Sequence, residues 1–248
     1  MPHGARSLVL FDSEVTAWEG SASRNWLGLV PGTRKHEARE IIQIGALRVL
    51  IHEGGQSEAV ESLWLQQGPA LRFFVKPTLN PSLSPYISRL TGITQRQVDE
   101  EGVDLLTGAK LLQEFVANSS AGPCACVPVL SWGDDFSMVE QNARLLGRAL
   151  PPDVAAMRDL TSDVRDIFAG AGINISGYTS GTIHRHPAIS AATAGHVHDA
   201  GWDTRSVLLA LQALLRTRTQ AVRALRHVLH GTHCGSTSSC TARHMQAA

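Results

Sequence analysis

The apolar positions of the chain fall first into short runs and then into helical spacing. Leu8-Val9-Leu10-Phe11 is an unbroken apolar burst that stops at Asp12, and the run from Ile41 to Leu50 is long and rich in β-branched residues. Leu71-Arg72-Phe73-Phe74-Val75 closes the group ahead of Pro77. Runs of this kind, bounded by polar and Pro/Gly segments, predict strands, and the three are expected to pair as a meander. Two polar, Gly-rich inserts separate them, about residues 19–39 and 53–69. Both exceed the ~2–5 residues of an ordinary hairpin loop and are expected on the surface.

After Pro77 helices alternate with strands. Ser84 followed by Pro85 reads as a cap with proline at the first helical position, opening a helix over Tyr86 to Leu90. Leu105, Leu106, Leu112, Phe115 and Val116 repeat at helical spacing; a strand is expected over Cys126 to Trp132, a helix over Met138 to Leu146, and a fifth strand over Ala155 to Leu160. From Asp203 to about His230 the spacing of Val207, Leu208, Leu211, Leu214, Leu215, Val222, Leu225 and Val228 predicts one long amphipathic helix. Residues 231–248 are rich in Ser, Thr, Cys and His and are expected as a loose tail behind a domain spanning 1–230. Strands first and βα alternation afterwards predict one α/β domain, a mixed five-stranded sheet flanked by helices.

Composition narrows the classes without choosing one. With 43% hydrophobic and 18% charged residues in 248, the chain is not disordered, collagen-like or coiled-coil. No apolar run approaches the ~20 residues of a membrane-spanning helix, so no membrane association is expected. Its 22 basic and 22 acidic residues cancel, which argues against a non-specific basic coat for nucleic acid but not against a local grip. Cys124, Cys126, Cys234 and Cys240 are too sparse for a secreted disulfide framework, and the start carries no long apolar run. A cytoplasmic or nuclear location is expected. The tail's His227, His230, His233, Cys234, Cys240 and His244 lack the tight pairing of structural zinc ligands.

Three places carry candidate chemistry. Asp12 and Glu14 lie two apart at the end of the first strand, where period two puts both on one face. Carboxylates held so close repel, raising a pKa, unless a divalent cation sits between them; a solvated strand edge is the plainer alternative. In Ser131-Trp132-Gly133-Asp134-Asp135-Phe136 a strand breaks at glycine and hands two aspartates to a helix, which either can cap. His198-Asp199-Ala200-Gly201-Trp202-Asp203 opens the last helix, where an acid is favoured by the dipole.

Taken in order, these three motifs resemble the DEDDh branch of the DEDD exonuclease superfamily, whose last motif places a histidine five residues before the final aspartate. Glu40-Ile41-Ile42-Gln43-Ile44-Gly45-Ala46 is similar to that family's second strand. Phe74-Val75-Lys76-Pro77, Leu90-Thr91-Gly92-Ile93-Thr94 and Val98 are similar to the segment that follows it. The resemblance covers about residues 7–217 and is nearest to the Eri-type and KapD-like RNA 3′ exonucleases, which share Trp132-Gly133.

The resemblance implies an RNase H-like fold and a 3′→5′ exoribonuclease that releases 5′-mononucleotides from RNA 3′ ends, single-stranded DNA being the alternative substrate. It implies two divalent cations, Mg²⁺ or Mn²⁺, on Asp12, Glu14, Asp135 and Asp203. Asp12 would bridge both ions, Glu14 and Asp203 would complete the nucleophile side, and Asp135 would act through water. His198 would be the general base. Val15 and Thr16 would face the terminal nucleotide, and Trp18 and Trp26 offer stacking surfaces. Arg24, Arg34, Lys35 and Arg39 make the first insert the most basic loop, a phosphate contact or simply a solvated one, and the inserts can also seat a protein partner.

Two departures matter. The acid follows Trp-Gly one residue early, and aligning from Gln141-Asn142 selects Asp135 and leaves Asp134 as the cap. Gly201-Trp202 stands where relatives tend to have a small apolar residue and an acid, so Trp202 is either core or a base platform. The rival readings are a DNA 3′ exonuclease of the proofreading type and a catalytically silent nucleic-acid-binding subunit of a larger particle.

Overall fold

The computed structural model describes residues 6–20, 38–54, 63–120, 126–189 and 195–231. The expectations for Arg24, Trp26, Arg34, Lys35 and the tail beyond residue 231 lie outside these. Strand β1 (Arg6–Val15) is central because both its faces are apolar. Leu8 and Leu10 enter one core with Leu47, Val49 and Leu65, while Val9 and Phe11 enter another with Ile44, Ala46 and Leu112. A strand buried on both faces reads as a continuous apolar run, which is how the sequence announced it.

β1 pairs antiparallel with β2 (Ile41–Glu53), and β2 antiparallel with β3 (Leu63–Phe74). On its other side β1 runs parallel to β4 (Val129–Ser131), which runs parallel to β5 (Thr161–Asp163), giving the order β3-β2-β1-β4-β5. Helices α1 (Pro85–Thr91), α2 (Gln95–Glu101), α3 (Leu105–Asn118), α4 (Asp135–Leu145), α5 (Pro152–Ala155), α6 (Arg165–Gly170), α7 (Ala200–Thr217) and α8 (Thr219–Gly231) cover the sheet. Leu112 and Val116 of α3 and Val139 of α4 join the core with Val9 and Phe11, while α7 lies on the other face through Val207, Leu208 and Leu211. The mixed five-stranded, single-domain α/β expectation is met.

Several boundaries differ, each for a local reason. β1 does not stop at Asp12 but carries both acids inside the strand. Residues 63–69, expected inside the second insert, are strand: Gln67 pairs with Val49 and Ala70 with Leu47, so Gly68 and Pro69 form a bulge opposite Arg48. β3 is an edge, where a proline deprives no neighbour of a hydrogen bond. The strand expected from Cys126 shrinks to three residues, because its entry, Pro128, has no N–H and only accepts, from Val9 N at 2.8 Å. Ala155 to Leu160 is helical rather than a strand: Pro151-Pro152 opens α5, a 3₁₀ turn (Ala156–Leu160) follows, and β5 begins at β-branched Thr161. The expected long helix is two, broken at Arg218 (φ −139°, ψ 112°). There the Thr217 hydroxyl bonds back to the Ala213 and Leu214 carbonyls, competing with the helix ladder.

Two polar contacts hold the rim of the sheet. Asn142 of α4 accepts from Ile41 N at 2.7 Å and donates to the Arg39 carbonyl at 2.9 Å, fixing where β2 starts. Buried Glu40 accepts from the backbone N–H groups of Thr78, Leu79 and Asn80 at 2.6, 2.9 and 2.7 Å. One buried carboxylate thus ties three successive backbone N–H groups of the turn to the start of β2.

Candidate active site

The site forms where β1 runs out beneath the start of α7. Asp12 and Glu14 both point to the α7 face, opposite Gly45 and Gln43 of β2. Those two residues decide how α7 arrives. A Cβ on Gly45 would fall 2.4 Å from the Ala200 carbonyl, so only glycine lets the helix start rest on the strand. Gln43 Oε1 accepts from Ala200 N at 2.8 Å. Asp199 caps the helix by accepting from Trp202 N at 3.0 Å, and it is itself held by Arg72 at 2.6 Å. Asp203 is thereby delivered, 2% exposed, beside Asp12 (7%) and Glu14 (8%).

His198 sits just before this cap with φ +67°, a left-handed conformation costly for a side chain with a Cβ. Its backbone N–H donates to Asp203 Oδ1 at 3.3 Å. Glu14, His198 and Asp203 each offer a ligand atom within 4.8 Å of the others. Asp203 also accepts from the Ser180 hydroxyl at 3.1 Å.

The neighbouring aspartates separate cleanly. Asp134 is exposed, accepts from Ser137 N at 3.1 Å as the cap of α4, and pairs with Arg158 at 2.6 Å. Asp135 turns inward and accepts from the Ser13 hydroxyl at 3.0 Å, leaving Oδ2 buried without a hydrogen-bond partner. Of the two, it is Asp135 that meets the other acids.

Burial and mutual repulsion dominate the electrostatics. Burial, then the carboxylates of Asp135, Asp203 and Glu14, push Asp12 well above the usual range. Burial, with Asp203 and Asp135 nearby, pushes Glu14 up to about 9. Burial likewise carries Asp135 and Asp203 to about 7, against the hydrogen bonds they receive. Among the described residues no Lys, Arg or His forms an ion pair with any of the four. Four crowded acids and an orphaned buried oxygen fit a hard divalent cation, which takes carboxylate oxygens and would replace the protons they otherwise share. His198 shifts the other way: burial, then His196, lowers its pKa, so the ring is neutral and able to accept a proton near pH 7.

Other expected contacts fare differently. Val15 is half-buried against the core, and Trp18 is half-buried. The Thr16 hydroxyl is spent internally, donating to the Ala38 carbonyl and accepting from Glu40 N, and its own N–H donates to the Glu40 carbonyl. Arg39, expected as a phosphate contact, is 7% exposed and faces inward. Trp202 packs rather than presenting a platform. Its Nε1 donates to the Gly181 carbonyl at 3.3 Å, its ring meets the His184 edge at 5.3 Å, and a Cβ on Gly195 would lie 2.0 Å from it. Sequence reasoning missed Ser13, Gln43 and Ser180. A lone polar residue inside the run Ile41 to Leu47 was the signal for Gln43; serines in polar segments give none.

Residues 9–115 match the RNase_T family, described as Exonuclease. No curated protein matches the chain. Among solved structures, a 3′-exonuclease described by its 3′-end-specific recognition of histone mRNA stem-loop is 16% identical with a TM-score of 0.61, covering 86% of this chain and 83% of that one. The nuclease domain of 3′hExo, a DEDDh family member bound to rAMP, is 17% identical with a TM-score of 0.60, covering 86% and 92%. Exonuclease I of E. coli with a dA16 oligonucleotide is 16% identical with a TM-score of 0.52, covering 90% of this chain and 42% of that one. Residues 9–115 thus match an exonuclease family model, and the likeness to these solved structures shows that the chain shares their RNase H-like fold.

Proposed function

We propose that this protein is a metal-dependent 3′→5′ exoribonuclease with His198 as its general base and Asp12, Glu14, Asp135 and Asp203 as its metal-binding acids. The observation that carries the reading is the convergence of four buried carboxylates and a neutral histidine where β1 meets α7. Two bound Mg²⁺ or Mn²⁺ ions would supply a nucleophilic water and neutralise the charge developing on phosphorus and on the leaving 3′ oxygen. Asp12, central among the acids, would hold the ions together with Glu14 and Asp203 on the side of His198 and with Asp135 on the other. His198 takes the proton of the attacking water onto its ring, and the Asp203 hydrogen bond to its backbone fixes where that ring stands. Val15, the Thr16 backbone and Trp18 border the terminal nucleotide.

RNA is favoured over DNA by the likeness of Trp132-Gly133 and Leu90-Thr91-Gly92-Ile93-Thr94 to the Eri-type enzymes. A soluble setting in cytoplasm or nucleus is consistent with the absence, among the described residues, of any helix long and apolar enough to cross a membrane. The test is incubation with Mn²⁺ and 5′-labelled single-stranded RNA, the matching DNA and a circular RNA. RNA shortened from its 3′ end to 5′-mononucleotides, with the circle intact, is expected. Equal or faster loss of DNA makes it a DNA exonuclease, and binding without cleavage makes it a silent subunit.

A further inference from the structure

We infer that the outer face of α8, with the α7–α8 junction, is a docking strip for the upstream phosphates of a single-stranded substrate, an inference that rests on the nuclease reading. Charge in this chain is segregated. Six arginines and no Asp or Glu follow Asp203, so in a chain whose 22 basic and 22 acidic residues cancel, everything before that point carries the compensating acidic excess. Within the described residues this bias runs through α7 into α8, and α8 has two distinct faces. Ala221, Val222 and Leu225 are fully buried and Val228 and Leu229 pack beside them. Arg223, Arg226, His227 and His230, spaced i, i+3, i+4 and i+7, occupy the opposite face. Arg223, His227 and His230 are exposed, as is Arg216 on the last turn of α7, while Arg218 at the break is half-exposed.

A basic face with no acid interleaved does not build intrahelical ion pairs, and side chains of one sign in a row repel. It is suited to a polyanion with regularly spaced charge. Its position suits a substrate whose 3′ end is in the carboxylate cluster. Ala224 of α8 lies against Gly170, the last residue of α6, at 3.1 Å from where that glycine's Cβ would be. The first residue of α6, Arg165, is 3.3 Å from the Cβ position of Gly133, in the motif that carries Asp135. α6 is six residues long, ~9 Å, so a strand leaving the active site reaches α8 once it is longer than a few nucleotides. Arg165 is paired with Asp163 at 2.6 Å, which leaves α8 as the positive surface beyond α6.

The test compares a 5′-labelled single-stranded RNA 30-mer with a tetramer too short to reach α8, on wild type and on Arg216→Gln/Arg223→Gln. Wild type should show a steeper salt dependence of KM on the 30-mer than on the tetramer. The double variant should raise KM for the 30-mer about tenfold at ~150 mM salt and flatten its salt slope by ~0.7 per lost contact. kcat and tetramer kinetics should stay at wild-type values. Unchanged 30-mer KM, or equal loss on both substrates, overturns the strip. If the double variant unfolds, each single variant should show about a threefold KM effect on the 30-mer. If wild type cleaves neither substrate, the nuclease reading fails on its own. Fluorescence anisotropy of the labelled 30-mer then decides the strip separately: tighter binding by wild type than by the variants is expected, and equal binding refutes it.

Discussion

Removing divalent ions should make this protein less stable as pH rises from 5.5 to 7.5, opposite to the response of salt-bridged carboxylates. Glu14, lifted to about 9, and Asp135 and Asp203, lifted to about 7, all titrate well above their unfolded values. Between those limits the folded state therefore binds more protons than the unfolded chain, and stability falls with rising pH. One excess proton held by the cluster is the least the geometry implies, at ~1.4 kcal/mol per pH unit. Over two units that is ~2.7 kcal/mol, or about 5–11 °C in Tm for a chain of this size. A divalent ion binds only the deprotonated acids, so the Tm gain from Mg²⁺ or Mn²⁺ should grow over the same range. His198, with a lowered pKa, contributes stability that is lost as pH falls, as do other groups with their own slopes. The informative quantity is therefore the difference from Asp12→Asn, which keeps those groups and relieves the repulsion. In chelator, calorimetry should find Asp12→Asn more stable than wild type at pH 7.5, with the gap closing toward pH 5.5. A gap independent of pH, or wild type the more stable at pH 7.5, would refute the crowded-carboxylate account.

Five further outcomes can be checked. His198→Ala should lose ~10²–10⁴-fold in turnover, keep its metal-induced Tm gain and recover rate at high pH. His196→Ala should be near wild type, and the acid limb of wild-type kcat should lie below the ordinary imidazole value because the His198 pKa is lowered. Asp135→Asn should abolish turnover, whereas Asp134→Asn should chiefly cost ~1 kcal/mol of stability through the lost cap, read by denaturant titration. Gly45→Ala should displace the start of α7 and remove both activity and the metal-induced Tm gain, since the added methyl meets backbone. Glu40→Gln should cost ~1–3 kcal/mol by weakening the bonds of a buried carboxylate to three backbone N–H groups, with the pH profile of kcat unchanged.

The fold was legible where pattern and structure share a cause. β1 and β2 are buried on both faces, so their apolar runs identified them, and the capped starts of α1 and α3 lie where spacing put them. Lengths were misread where a local residue outweighs the pattern: Pro69 hid the first half of β3 because its bulge is harmless on an edge, and Thr217 split the last helix. The acids were legible only as an ordered set, each alone having an ordinary explanation. Which of Asp134 and Asp135 turns inward was resolved by side-chain partners, Ser137 and Arg158 for one and Ser13 for the other. The role of Gly45 was invisible because it depends on a helix more than 150 residues later in the chain.

That contact between Gly45 and Ala200 also sets when the enzyme can first act. Asp12 and Glu14 are synthesised before Asp135, but Asp203 and His198 arrive only with the start of α7. Until that helix seats on β2, the earlier acids have no partner across the cleft and no base beside them. On the proposed reading, a chain that lacks α7 would be harmless, and activity would switch on in one late docking event rather than building up as synthesis proceeds.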